Sequence, residues 1–414
     1  MTKKDILVLG AGMIGTCTAL QLALRGHAVV LLDRREPGRE TSYGNAGIIQ
    51  CEAVEPYPFP QDPAVLLRMA LRRGADAHYH LGALPALVPA LWRYWRHSRA
   101  PLYERVAHEY GQLTSRSVLA HAPLIELAGA QDLVRREGYR YVFRTQAALD
   151  DQARTAERLQ RDAGVNFRVL DSDALAAAEP ALRRRLAGAL QWTDPWSVSD
   201  PGALVQRYAD LLVRQGGRIV RGDAATLRQT GAGWQVRSEE GPMEAAHAVI
   251  ALGPWSDQAI RGLGYRYPLF VKRGYHRHYR GAQGPDLPLL DAERGFVLAP
   301  MALGVRLTTG AEFARLDAPA TPVQMGRAEA LARELLDLPE PVEAEPWLGA
   351  RPCTGDLKPV IGPAPRHKGL WFHFGHAHQG FTMGPISAQL LAEQIDGTAP
   401  VVDPTPYLPA RFGA

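Results

Sequence analysis

Residues 5–33 read DILVLGAGMIGTCTALQLALRGHAVVLLD, and this stretch decides the fold class. Four apolar residues in succession, at 6–9, predict a short strand buried on both faces, as in a parallel sheet. The strand runs directly into Gly10-Ala11-Gly12-Met13-Ile14-Gly15, a GxGxxG turn. A helical pattern over 16–25 follows, with Ala19, Leu20, Leu22, Ala23 and Leu24 apolar, and it stops at Gly26. A second apolar run at 28–32 ends on Asp33. Strand, glycine turn, helix, strand and terminal acid therefore fall in the order of a βαβ unit.

Each part has a physical task in binding a dinucleotide. Gly10 permits the tight turn, Gly12 lets backbone approach a pyrophosphate, and Gly15 lets helix and strand pack closely. The helix start, with Met13 and Ile14, offers N–H groups and a partial positive charge to phosphates. Asp33 stands where a carboxylate accepts from a ribose hydroxyl. Arg34 and Arg35 suit a 2′-phosphate, but the acid beside them would repel one, so an unphosphorylated ribose is expected. The unit alone leaves NAD and FAD open. A second donor-rich loop, ETSYGNAGIIQ at 40–50, offers more hydrogen-bond donors than a simple NAD site needs and suits a longer ligand with a flavin beyond its pyrophosphate.

The chain has 414 residues, 46% hydrophobic and 22% charged, which predicts a soluble globular protein of two structural domains or one large composite. Cys17, Cys51 and Cys353 are odd in number and far apart, against a disulfide framework and for a reducing compartment. The net charge of +4 is spread among mixed charges without aromatic-interleaved basic motifs, so no nucleic-acid partner is expected. No apolar run approaches the length that crosses a bilayer, and the glycine-interrupted run near the N-terminus reads as a strand, not a secretion signal. A cytoplasmic protein is expected.

Further along, 66–73 and LWRYWR at 91–96 set aromatic and basic residues side by side. Such helices suit a membrane surface or an acceptor-docking face; a helix burying its aromatics and exposing its arginines is the preferred expectation. An exposed helix is expected at 151–162, a strand at 166–170, and an amphipathic helix at 201–214. The apolar run 248–252, ending in Gly253-Pro254-Trp255, returns the chain to the nucleotide-binding sheet. Runs at 275–279 and 304–309 look antiparallel, as in a substrate domain. At 370–374 a last apolar strand enters Gly375-His376-Ala377-His378-Gln379-Gly380, before a helix at 382–395. The positive end of that helix suits the anionic edge of a reduced flavin. His373, His376 and His378 have no acidic or cysteine neighbour, so no metal is expected. Cys353 has no evident partner to lower its pKa and is expected to be inert. Arg351, in GARPCTGD, suits bidentate binding of a substrate carboxylate, with an interdomain salt bridge as the alternative.

Together VLGAGMIG with Asp33, ETSYGNAGIIQ, VKRGYHRHY, and GARPCTGDLKPVIG followed by GHAHQGFTMGP resemble the FAD-dependent D-amino acid dehydrogenases, within the D-amino acid oxidase and sarcosine/glycine oxidase superfamily. The resemblance runs through nearly the whole chain. It implies an α/β fold with a Rossmann-like FAD-binding domain (1–60, 195–260 and 350–400) and a second, mostly antiparallel sheet domain for substrate (61–194 and 261–349). It implies noncovalent FAD, since the superfamily's attachment cysteine would fall at about Gly349. It also implies a hydride moving from substrate Cα to the flavin, with hydrolysis of the imino acid. The leading reading has electrons leaving to a quinone or other carrier, with peripheral contact at the inner face of the cell membrane as the alternative to a purely cytoplasmic location.

On that pattern Gly10, Gly12, Met13, Ile14, Gly15, Asp33 and Arg34 hold the ADP part. Thr41, Ser42, Asn45, Ala46, Gly47 and Ile48 lie along the pyrophosphate and flavin, and Ala224, Gly253 and Trp255 near the adenine side. Gly375, Gly380, Phe381, Thr382 and Met383 approach the ring's pyrimidine edge. Arg351 matches the carboxylate-binding arginine, with Tyr275, Arg273 and His378 beside it. Arg273 and His278 depart from a simpler KGY pattern, which leaves the side chain of the substrate open between D-amino acids and cyclic imino acids such as D-proline or cis-4-hydroxy-D-proline. The alternatives are a sarcosine- or glycine-type oxidase producing hydrogen peroxide, a non-catalytic nucleotide-binding subunit, and an NAD(P)-dependent dehydrogenase.

Overall fold

The computed structural model describes residues 3–70, 77–231 and 233–413. Five strands lie side by side and parallel in the order Arg218–Thr230, Ala28–Asp33, Asp5–Leu9, His247–Ile250 and Leu370–Phe374. Antiparallel strands close both edges: Val360–Pro363 beyond Leu370–Phe374, and the hairpin Gly233–Ser238 with Gly241–Ala245 beyond Arg218–Thr230. Asp5–Leu9 is central, and the chain builds first to one side of it and then to the other. That reversal opens a crevice at the carboxyl ends of Asp5–Leu9 and His247–Ile250, where such sheets bind ligands.

The first helix, Met13–Leu24, begins inside the glycine motif, three residues earlier than the pattern suggested. Nine of its twelve residues are buried, so it is not a surface helix: it packs between the sheet and the helices Pro201–Arg214 and Gly380–Asp396. Gly384 allows the last crossing, because a Cβ there would stand 2.6 Å from Met13 Cγ.

A second sheet runs in the order Ala77–Tyr79, Ala311–Phe313, Leu269–Tyr279, Gly304–Thr308, Phe296–Met301, Leu289–Asp291, Tyr139–Phe143, Gly188–Trp192 and Phe167–Asp171. It is mostly antiparallel, with parallel pairs at Leu289–Asp291 against Tyr139–Phe143 and at Ala311–Phe313 against Ala77–Tyr79. Trp347–Thr354 pairs along Leu269–Tyr279, so Arg351 stands on this sheet, while Val360–Pro363 and Leu370–Phe374 rejoin the first.

Two expected helices take a different extent. Gln146–Ala163 is longer than 151–162, and its apolar stripe of Leu149, Ala156 and Leu159 is buried. Pro63–Ala70 covers part of 66–73, and residues 71–73 lie outside the described residues. LWRYWR belongs to the helix Leu84–His97, which splits its aromatics. Tyr94 is buried and its hydroxyl donates to Tyr57 O at 2.8 Å. Trp92 is 60% exposed and stacks on Trp95 with ring centroids 4.8 Å apart.

Candidate active site

One continuous cavity of about 920 Å³ runs from the glycine turn of the first sheet to the face of the second. At its first end the glycines are obligatory. Gly10 has φ +104°, and a Cβ on it would lie 2.5 Å from Ala251 O. A Cβ on Gly15 would lie 1.7 Å from Gly10 O. Gly15 therefore serves packing and does not line the cavity, whereas Gly10, Gly12, Met13, Ile14, Asp33 and Arg34 do. Asp33 Oδ2 accepts from Ala11 N at 2.6 Å, fixing the turn. Arg34 lies 4.4 Å from the Trp255 ring centroid, and Ala224, Gly253 and Trp255 complete this wall.

The loop at 40–50 is clamped on several sides. Ser42 Oγ accepts from Met13 N at 2.9 Å, at the helix start. Thr41 Oγ1 donates to Ala350 O at 2.9 Å, joining the loop to the second sheet. Arg306 Nη1 donates to Tyr43 O and Asn45 O at 2.8 and 2.6 Å. Asn45 Oδ1 accepts from Gly47 N at 2.7 Å, and Gly47, at φ +71°, leaves no room for a Cβ beside Val198 O. Thr41, Ser42, Asn45, Ala46 and Ile48 line the cavity; Gly47 shapes the turn behind it. On the C-terminal turn Gly375, Gly380 and Phe381 line the wall, while Thr382 and Met383 are buried behind it. Thr382 Oγ1 accepts from Gln50 N at 3.2 Å and so ties the last helix to the loop. Between them Ala377 holds a left-handed backbone at φ +50°, the kind of strain that persists at functional walls.

At the far end stand Arg351, Tyr275 and His378. Arg351 Nη1 donates to Gly310 O at 3.2 Å, and its guanidinium lies over Gly274, where a Cβ would come within 2.7 Å of Nη1. Among the described residues no carboxylate pairs with it. Burial pulls its pKa down, and it lowers the pKa of His378, which burial already holds well below the usual range. His378 is thus a neutral imidazole, able to donate or accept a hydrogen bond but not to act as a resident acid. Arg273 is a correction to the expected site. It is 1% exposed and turned to the opposite face, where Nε donates to Glu312 Oε2 at 2.8 Å and Nη2 donates to Pro319 O at 2.9 Å. Tyr275 borders the cavity, but its side chain shares the face of Arg273, is buried in the core, and donates its hydroxyl to the same Glu312 oxygen at 3.0 Å.

A family model described as DAO, FAD dependent oxidoreductase, matches residues 5–394. The chain belongs to this family. A D-amino acid dehydrogenase of Cereibacter sphaeroides is 33% identical over 422 residues, covering 96% of this chain and 93% of its own. A D-amino-acid oxidase of Bradyrhizobium diazoefficiens is 29% identical over 424 residues, with 99% of each chain covered. Among solved structures, glycine oxidase from Geobacillus kaustophilus has a TM-score of 0.73 at 21% identity, covering 99% of this chain and 98% of that one. The cofactor of this FAD-dependent oxidoreductase is FAD, and the cradle fits it. The Gly10 and Gly15 contacts hold backbone, free of side chains, at the helix start that would hold the pyrophosphate, and the same cavity is lined from there along the loop to Arg351.

Several residues of this oxidoreductase's site escaped the sequence. Lys272, beside Arg273, faces the cavity, and Trp347 fills the space over Gly44 and Gly349. Gln50, Tyr57, Tyr139 and Tyr141 form a polar wall. Behind it Glu52 is buried, and its Oε1 accepts from Tyr139 Oη at 2.7 Å and from Gln50 Nε2 at 3.2 Å. Burial pushes its carboxyl up to about 7 against those hydrogen bonds. Tyr139 and Tyr141 share one face of a strand, so the spacing in YRYVF was a usable signal; nothing in the sequence marked Glu52. His278 is held away from substrate, with its Nε2 accepting from Arg306 Nε at 2.9 Å and its Nδ1 against Glu343. His373 and His376 both reach Ser387 Oγ, at 2.9 and 3.1 Å. Cys353 is buried and burial raises its thiol pKa. Among the described residues no helix is long and apolar enough to cross a membrane.

Proposed function

We propose that this protein oxidises the Cα–N bond of D-amino acids, with cyclic D-imino acids in the same range, and passes the electrons to a quinone or other carrier. The observation that carries the proposal is Arg351: a half-buried guanidinium on the cavity wall with no carboxylate partner among the described residues. A largely desolvated cation of this kind, without an acid of its own, suits an anionic ligand. The names of the related dehydrogenases support the D-configuration.

When bound, FAD supplies the hydride acceptor; the chain's own side chains bind and orient the substrate and manage its amine proton. Arg351 takes the α-carboxylate. The neutral His378, on the cavity wall with Arg351, limits how Cα can lie, which is the larger part of catalysis when positioning governs rate. The substrate ammonium must lose a proton before Cα can release a hydride. We assign that proton to Glu52: it passes to Tyr139 Oη as Tyr139 gives its own proton to the carboxylate. A group titrating near neutrality is suited to this task.

The name of the Bradyrhizobium relative favours a second possibility, an oxidase that reduces oxygen to hydrogen peroxide. Anaerobic mixing of the purified holoenzyme with a panel of D- and L-amino acids and imino acids tests the substrate: flavin bleaching by D-forms is expected. Bleaching by L-forms alone would overturn the proposal. Quinone or dye reduction measured against oxygen uptake, with the same substrate, separates dehydrogenase from oxidase.

A further inference from the structure

The strand that carries Arg351 pairs with Leu269–Tyr279 so that Arg351 stands directly opposite Lys272. Two like charges in direct cross-strand register repel each other and weaken a sheet. Here Lys272 is 6% exposed and Arg351 half-buried, and the loss of water around them strengthens the repulsion. Neither has a carboxylate partner among the described residues. Lys272 Nζ donates to Tyr94 Oη at 2.9 Å and sits 4.1 Å from the Tyr94 ring centroid, with Phe270 and Phe313 each at 5.8 Å. An aromatic cage of this sort favours the ammonium over the amine, yet it leaves ammonium donors unused. The two cationic heads also diverge. The guanidinium lies over Gly274 towards Gly310, while the ammonium points towards Phe270 and Phe313.

We propose that the preferred substrate is a dicarboxylic D-amino acid, with its α-carboxylate on Arg351 and its side-chain carboxylate on Lys272. This rests on the assignment of Arg351 to the α-carboxylate. Two diverging cations match two anionic groups joined by a short spacer. Phe59, Phe313 and Tyr94 line the same part of the cavity and suit the methylenes between them. The bound dianion removes the repulsion that the empty register leaves in place. A cation needed only for packing would have been matched by an acid on a neighbouring strand, as Arg273 is by Glu312 one residue further along. Burial and the Arg351 charge lower the Lys272 pKa to about 8, so the pocket is cationic at pH 7 and loses that charge at higher pH. The groups facing Lys272 are Tyr94, Cys353, Arg351 and His378; burial keeps His378 neutral, and Arg351 keeps its charge throughout this range.

The holoenzyme is assayed with D-glutamate against D-glutamine and D-aspartate against D-asparagine. The expected result at pH 7 is a kcat/KM for the acid on the order of tenfold or more above its amide, with the ratio shrinking as pH rises beyond about 8. Lys272→Met brings the ratio close to one. As a measure independent of turnover, glutarate perturbs the flavin spectrum at concentrations well below those needed for butyrate. This comparison and the wild-type ratio serve even where the variant does not fold. Acid and amide oxidised equally well by the wild type would overturn the inference while leaving the proposed function standing. A ratio that survives in Lys272→Met would overturn it too. Failure of every D-amino acid to bleach the flavin would overturn both.

Discussion

Replacing Arg351 with Met separates binding from folding. The guanidinium is expected to make a charge-assisted contact with the substrate carboxylate, and truncating one partner of such a desolvated pair costs about 2–5 kcal/mol. Lys272 opposite still draws anions into the cavity, so a value near the lower middle, about 3 kcal/mol, is expected, or roughly a 150-fold rise in KM. Stability moves the other way. The side chain is half-buried, has only carbonyl partners, and stands against a like charge, so methionine relieves desolvation and repulsion together. Thermal unfolding of the variant is expected at or above the wild-type temperature. The flavin spectrum is expected to be retained, because Thr41 holds the backbone carbonyl of Ala350 and not the side chain beside it. Steady-state kinetics with a carboxylate substrate and with its amide or ester give the decisive comparison: the KM of the carboxylate rises and that of the neutral analogue changes far less. An unchanged KM for the carboxylate, or a variant that unfolds well below the wild type, would refute the reasoning.

Other consequences follow from named contacts. Glu52 has its folded pKa raised from 4.5 to about 7 by burial, so the native state holds a proton that the unfolded state has lost between those values; stability is therefore fully present below about pH 4.5 and falls as pH rises to about 7, by about 3 kcal/mol. Glu52→Gln removes that slope, read from unfolding at a series of pH values, and should also displace the acidic limb of the kcat/KM profile. Glu312→Gln leaves the buried Arg273 unpaired and is expected to cost about 3–5 kcal/mol in denaturant unfolding. Gly15→Ala drives a Cβ into Gly10 O, so the purified protein is expected to be colourless and to stay so when FAD is supplied.

The first sheet was legible because its signals are local. A buried parallel strand is a continuous apolar run, and a glycine turn between two such runs leaves few folds to choose from. Even the early start of the first helix follows from the same residues, since Met13 and Ile14 already have helical geometry inside the motif. The second sheet was harder. Leu269–Tyr279 pairs with Gly304–Thr308, Ala311–Phe313 and Trp347–Thr354, partners tens of residues away, and no sequence window holds both sides of such a ladder. Glu52 was unreadable for a similar reason: its meaning comes from Tyr139 on another element.

Lys272 and Arg273 show how much of a site hangs on parity. Side chains alternate faces along a strand, so adjacent cations cannot share one. VKRGYHRHY offers both, and nothing within those nine letters says which faces the ligand. The answer comes from across the sheet. Arg273 finds Glu312, whose carboxylate also receives Tyr275, and is consumed by structure. Lys272 finds Arg351, a second cation, and is left with a charge that the fold does not answer. A cation with an acid opposite has its partner already; one with a cation opposite needs a partner from outside the chain. On that argument the acid-to-amide ratio measures the register itself. Exchanging the pair, as Lys272→Arg with Arg273→Lys, keeps one cation on each face and both hydrogen-bonding directions. It is expected to keep a preference for acids, whereas Lys272→Met removes it.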